Sequence, residues 1–168
     1  MNGLDYPPGA TPLDPDEMAG LIPEHVRTQA ELDEWEQANI IDGLRWAGTF
    51  RKSDKNIGVD WRYIPMRLRD LLEDVKVQLA HANEAADDIV LKFHHKLVCI
   101  HPFANGNGRQ ARVMADLLIE RTGKLPFSWG RTSLAAPGET RNAYLDALRA
   151  ADRRDYSLLF RFARTSSE

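Results

Sequence analysis

A chain of 168 residues with 43% apolar and 28% charged residues has the make-up of one soluble domain able to bury a core, which excludes a disordered or fibrous chain. The net charge of −3 lacks the basic surplus of backbone-neutralising nucleic-acid binders, so nucleic acid is not an expected partner. Cys99 is the only cysteine, no apolar run approaches the length of a membrane span, and no secretory leader pattern opens the chain; a cytoplasmic protein without a membrane partner is expected.

Five prolines at positions 7, 8, 12, 15 and 23 fix φ and delete amide donors, so residues 1–27 are expected to form an arm wrapped over a single domain spanning 28–168. Thr28 and Glu31 form a capping-box signature, and Leu32, Trp35, the Ile40/Ile41 pair and Leu44 keep helical spacing, which predicts a helix over 29–47. Ile57, Val59 and Trp61 alternate around Gly58 and Asp60, the pattern of a short β-hairpin. Pro65 suits a first helical turn, and Met66, Leu68, Leu71, Leu72, Val75 and Leu79 mark one apolar stripe of a helix ending near Ala82. A further helix over 84–100 opens at Asn83 with acids in its first turn and turns Ile89, Phe93, Leu97 and Ile100 to the core. Pro102 stops it, and a glycine-containing loop leads into an apolar helix with Val113, Met114, Leu117 and Leu118, closed by Gly123. Residues 139–151 and 155–164 read as two more helices, so the expected fold is an all-α bundle carrying one small β-hairpin.

The chemistry gathers in His101-Pro102-Phe103-Ala104-Asn105-Gly106-Asn107-Gly108-Arg109-Gln110-Ala111-Arg112. Gly106 and Gly108 allow a backbone that exposes several amides at a helix start, where the dipole favours an anion. Asn107 between them tolerates left-handed geometry and offers an amide donor to a phosphate oxygen. Arg109 and Arg112, three apart, project two guanidinium forks from one helix face toward a polyphosphate. His101 just before this cradle can take the proton of an attacking hydroxyl, and Asn105 stands where a magnesium ligand would help. Pro102 and Phe103 are read as a rigid turn and an apolar anchor.

His-Pro-Phe-x-x-Gly-Asn-Gly-Arg-x-x-Arg resembles the signature of the Fic family. Phe93-His94 before Leu97-Val98, and Tyr144-x-x-Ala147-Leu148 followed by Asp155, resemble the flanking helices of that family, over about residues 48–163. Leu4-Asp5-Tyr6 and the helix containing Trp35 resemble the small bacterial subgroup called mobile mystery protein B. The resemblance implies a Fic-type helical bundle that transfers AMP from ATP to a Ser, Thr or Tyr hydroxyl of a target protein, with diphosphate leaving and Mg²⁺ assisting. His101 would be the base, Gly106 to Gly108 the anion hole, and Arg109 and Arg112 the holders of the phosphates. The hairpin of Ile57, Gly58, Val59, Asp60 and Trp61 would be a flap docking the acceptor by strand addition, with Tyr144 and Asp152 near the adenine.

Two departures stand out. Asn105 replaces the acid usual in the family, and a neutral oxygen is a weaker Mg²⁺ partner than a carboxylate. No glutamate has Ser or Thr four residues before it, so the family's inhibitory Ser/Thr-x-x-x-Glu motif is absent in its usual form; Glu34 and Glu36 are divergent stand-ins, and an inhibitory partner is the other open route to restraint. Alternatives are transfer of UMP, phosphate or another phosphate-linked group, or a toxin-like nucleotide-binding interaction module of weakened catalysis. A zinc site of His94, His95 and His101 is disfavoured by their spacing.

Overall fold

The computed structural model describes Asp14 and residues 48–81, 84–130 and 137–164. The arm apart from Asp14, the helix expected over 29–47, and Ala82 and Asn83 lie outside the described residues. Among the described residues the chain is all helical: a 3₁₀ turn at Trp61–Tyr63, then α1 (Ile64–Ala80), α2 (Ala86–Ile100), α3 (Asn107–Arg121), α4 (Pro137–Asp152) and α5 (Ser157–Ala163). None of these is long and apolar enough to cross a membrane. Two compact units emerge: one holds the chain up to Met66 together with Cys99–Asn107, the other Arg67–Val98 and Gly108 onward.

In the first unit the expected β-hairpin is not formed. Gly58 adopts φ +104°, and the Val59 N–H donates to the Ile100 carbonyl at 3.4 Å while the Val59 carbonyl accepts from the Arg51 guanidinium. A helix end and an arginine therefore take the ladder groups that a partner strand needs. The Asp60 carboxylate next accepts the Arg62 N–H at 3.0 Å and starts the 3₁₀ turn, and Arg62 holds that carboxyl down at about 2. Asp14 accepts from the Ser53 hydroxyl and pairs with Lys55 at 3.1 Å, tying one residue of the arm to this loop.

In the second unit one apolar cluster joins Val90 and Leu91 of α2, Ala115 and Ile119 of α3, Phe127 and Trp129 of the following loop, Tyr144, Ala147 and Ala151 of α4, and Leu159, Phe162 and Ala163 of α5. Each fully buried Leu, Ile or Phe here contributes about 1.5–3 kcal/mol through surface removed from water. The face expected for α2 is buried throughout at Ile89, Phe93, Leu97 and Ile100. The stripe expected for α1 is narrower than the pattern suggested: Leu71 and Val75 are buried, whereas Met66 and Leu72 are exposed.

On α3 the large apolar residues divide: Val113 and Leu117 are 57% and 50% exposed, Met114 and Leu118 are half-buried, with Leu118 against the core cluster, and Ala111, Ala115 and Ile119 are buried. Alanines at four-residue spacing let neighbouring helices approach closely, a geometry that counting large apolar residues does not reveal. Asp116 pins the loop after α3 by accepting the Phe127 N–H and the Trp129 Nε1–H, both at 2.9 Å, and Ser128 N–H donates to Ala163 O at 2.8 Å.

Candidate active site

His101 follows directly on α2 with φ +53°, left-handed and not glycine, and its residue is 6% exposed. Such a backbone costs on the order of 1 kcal/mol or more and persists only where neighbours enforce it. Arg51, one of several charged residues in the loop before the 3₁₀ turn, is an enforcing neighbour. Its Nε donates to His101 O at 2.7 Å, its guanidinium also reaches the carbonyls of Ser53, Val59 and Ile100, and its backbone N–H donates to Pro102 O at 2.9 Å. Phe103, the expected anchor, packs on Phe50 with ring centroids 5.9 Å apart.

The loop beyond His101 closes on itself. Asn107 Oδ1 accepts the Phe103 N–H and Asn107 Nδ2 donates to Phe103 O, both at 2.8 Å, with Asn107 buried. The Asn107 amide shapes the loop through its oxygen and one of its two N–H groups. One expectation is corrected: the left-handed backbone falls on His101 and on Gly106 (φ +75°), not on Asn107, which is already the first residue of α3. Asn105 Oδ1 accepts the Gly106 N–H at 2.6 Å, and its buried Nδ2 has no hydrogen-bond partner among the described residues. A neutral oxygen already bonded to an amide, with a buried N–H donor beside it, does not fit the hard, carboxylate-preferring Mg²⁺ ion. Of the flap residues, Gly58 meets His101: a Cβ placed there would lie 2.8 Å from His101 Cβ and 2.7 Å from Arg51 Nη2, while Ile57 and Trp61 are exposed.

The second unit carries the helix start. The first amides of an α-helix have no partner within it, so the opening turn of α3 through Gly108, Arg109 and Gln110 points donors outward along a favourable dipole. Arg112 stands one turn on, its guanidinium carbon 5.1 Å from the centre of the Tyr144 ring. Tyr144 is 7% exposed, so it serves as a floor under Arg112 and against Gly108, where an added Cβ would lie 3.4 Å from the tyrosine oxygen. That hydroxyl is 3.1 Å from His94 Nε2, and the His94 ring in turn lies 4.7 Å from the Trp129 ring. Burial, with the Arg112 and His95 charges adding to it, pushes His94 down to about 3, so it is neutral. His95 turns elsewhere, its Nε2 2.8 Å from the Asp152 carboxylate, itself on the exposed end of α4, and its Nδ1 3.4 Å from the Tyr156 hydroxyl. The adjacent histidines thus serve different partners and do not converge as ligands.

The described chain is helical, with a histidine-led loop running into the opening turn of α3. Residues 23–119 match the model of the Fic/DOC family, and the chain belongs to that family. Among curated relatives, the protein adenylyltransferase fic-1 of Caenorhabditis elegans is 29% identical over 148 residues, 88% of this chain and 26% of that protein. The protein adenylyltransferase Fic of Drosophila yakuba is 36% identical over 75 residues, 45% of this chain and 14% of that protein. The chain therefore spans about a quarter or less of the length of the relatives it matches. A Fic domain containing signalling protein from Bacteroides thetaiotaomicron shares the fold, with a TM-score of 0.56 at 16% identity over 68% of this chain and 49% of that one. Leu4 to Tyr6 and Trp35, which carry the resemblance to mobile mystery protein B, lie outside the described residues.

Proposed function

We propose that this chain is a cytoplasmic protein adenylyltransferase that moves AMP from ATP to a Ser, Thr or Tyr hydroxyl of a target protein. The acceptor oxygen attacks the α-phosphorus, its proton passes to His101, the bond between the α-phosphorus and the bridging oxygen breaks, and diphosphate leaves. Arg109 and Arg112 hold the phosphates as charge shifts to the leaving group, and the amides from Asn107 to Arg109 receive the α-phosphoryl oxygens. Gly106 lends no donor, because its N–H is engaged by Asn105. The acceptor segment passes beside Ile57 and Gly58, and Asp152 lies on the adenine side. The single observation that carries this reading is the unbroken His101 to Arg112 motif, with a strained, clamped histidine at one end and an aromatic-backed arginine at the other. It is supported by the relatives being named protein adenylyltransferases. Labelled ATP with a cell lysate should label proteins, and His101→Ala should lower the rate about 10²–10⁴-fold, the span of a lost general base. Equal labelling by the two chains would overturn the reading. Replacing ATP by other labelled triphosphates distinguishes AMP transfer from that of UMP or phosphate.

The state of Asn105 favours one second reading, a nucleotide-binding module of weakened catalysis. Asn105 is a poor ligand for Mg²⁺. Calorimetry showing ATP binding without turnover, together with activity gained in Asn105→Asp, would select this reading.

A further inference from the structure

We propose that Arg51 is the positioning residue of this site: a buried guanidinium that sets the direction of the His101 imidazole and binds the 53–59 loop to it. The role rests on His101 being the base.

The Arg51 side chain is fully buried, and its ion-pair contact with Asp54 spans 3.8 Å to a carboxylate that is 63% exposed, where water screens most of the attraction. Backbone carbonyls receive its N–H groups. Nε bonds the His101 carbonyl at 2.7 Å, Nη1 the Ser53 carbonyl at 2.7 Å, and Nη2 the Val59 and, at 3.5 Å, the Ile100 carbonyls. Burying a guanidinium is expensive, so an arginine used in this way is an expenditure on geometry rather than on net stability.

The carbonyls it gathers come from two stretches of chain. Ile100 and His101 carry the end of α2 and the left-handed histidine, while Ser53 precedes and Val59 lies within the Ile57–Trp61 stretch that the resemblance assigns to acceptor docking. A planar fork with five N–H groups in fixed directions satisfies this set, and the single ammonium of lysine does not. One residue therefore holds the base and the docking loop in a common frame.

Gly58 completes the arrangement. A Cβ there would fall 2.7 Å from Arg51 Nη2 and 2.8 Å from His101 Cβ, on a backbone with φ +104°. The loop passes over His101 at a distance only glycine permits, so movement of Arg51 reaches the imidazole through both its own carbonyl and its neighbour.

The test separates positioning from binding. In Arg51→Lys the single-turnover transfer rate should fall about 100-fold, the scale of a catalytic group misplaced by about 1 Å, while ATP affinity by calorimetry stays at the wild-type value. In Arg51→Ala guanidinium ion below denaturing concentrations should restore part of the rate, and it should restore nothing in His101→Ala. Gly58→Ala, which forces a Cβ against Arg51 Nη2 and His101 Cβ, should repeat the Arg51→Lys phenotype with the Arg51 side chain still present. A readout independent of activity is the nuclear magnetic resonance signal of the His101 ring, assigned by its loss in His101→Ala. It should shift and change its titration in Arg51→Lys while the His94 signal stays put. Unchanged transfer and an unmoved His101 signal in both Arg51→Lys and Gly58→Ala would overturn the proposal. Should the wild-type chain transfer nothing, the adenylylation reading fails, and the ring signal still decides whether Arg51 orients His101.

Discussion

The stretch from Ile100 to Asn107 and the helix start from Gly108 to Arg112 are adjacent in the chain and are held by different physics. The first is held by a charge on carbonyls: Arg51 enforces a left-handed His101, and Asn107 staples the loop through two 2.8 Å hydrogen bonds. The second is held by packing: Arg112 rests on Tyr144, whose hydroxyl meets a neutral His94 that lies beside Trp129. Directional bonds suit a group whose exact aim matters, as for a base that must meet a proton. A broad aromatic floor suits a guanidinium that must follow a polyphosphate. Damage to the first should therefore appear as lost rate, and damage to the second as lost affinity and stability.

The largest expected effect is on the second region. Tyr144→Ala should destabilise the chain by about 3–5 kcal/mol, the usual cost of removing a buried aromatic, and weaken ATP binding about tenfold, equal to about 1.4 kcal/mol. Denaturant unfolding and calorimetry measure the two. If stability fell with affinity intact, Tyr144 would be core alone and the contrast between the regions would break.

A smaller effect follows from His94. Its folded value of about 3 lies below its ordinary 6.5, so between those values the unfolded chain binds the extra proton. The stability contributed by the neutral ring is full above about pH 6.5 and is lost as the pH falls toward 3, at about 1.4 kcal/mol per pH unit once well inside that window. Urea unfolding between about pH 7 and about pH 4 should display this slope, and His94→Gln should flatten it. A slope that persists in His94→Gln would assign the titration to other groups, of which Asp87, held below its ordinary range by Arg164 and Lys124 against the opposing effect of burial, is the first to examine.

Smallest is Tyr144→Phe, which removes the hydroxyl bonded to His94 and leaves the ring under Arg112. A loss of about 1 kcal/mol, that of one hydrogen bond, with ATP affinity retained would sharpen the claim that the ring, not the hydroxyl, supports the arginine. A large loss of affinity would transfer that support to the His94 contact.

Legibility in the sequence followed the range of the interactions. The buried face of α2 was legible because Ile89, Phe93, Leu97 and Ile100 repeat with helical period and bulk, and Gly106 announced the left-handed turn before α3. The innermost face of α3 was not legible, because Ala111 and Ala115 lie there with Ile119, while Val113 and Leu117 among the larger residues are exposed. The loop-stapling bonds of Asn107 were not legible, because an amide that closes a loop carries no mark of it in one dimension. Arg51 left no signal, since its meaning is four carbonyls spread over residues 53 to 101.

Read alone, the amino-acid order determined the helical class, the motif and the family to which it belongs, because helical periodicity and a contiguous loop-to-helix signature are local properties. Tertiary structure alone decided that an arginine replaces a strand partner at Val59, that alanines form the inner face of α3, and that a neutral histidine underlies Tyr144 and so Arg112. Each of these depends on which groups distant in sequence exclude water together, and that quantity is defined only once the chain has folded.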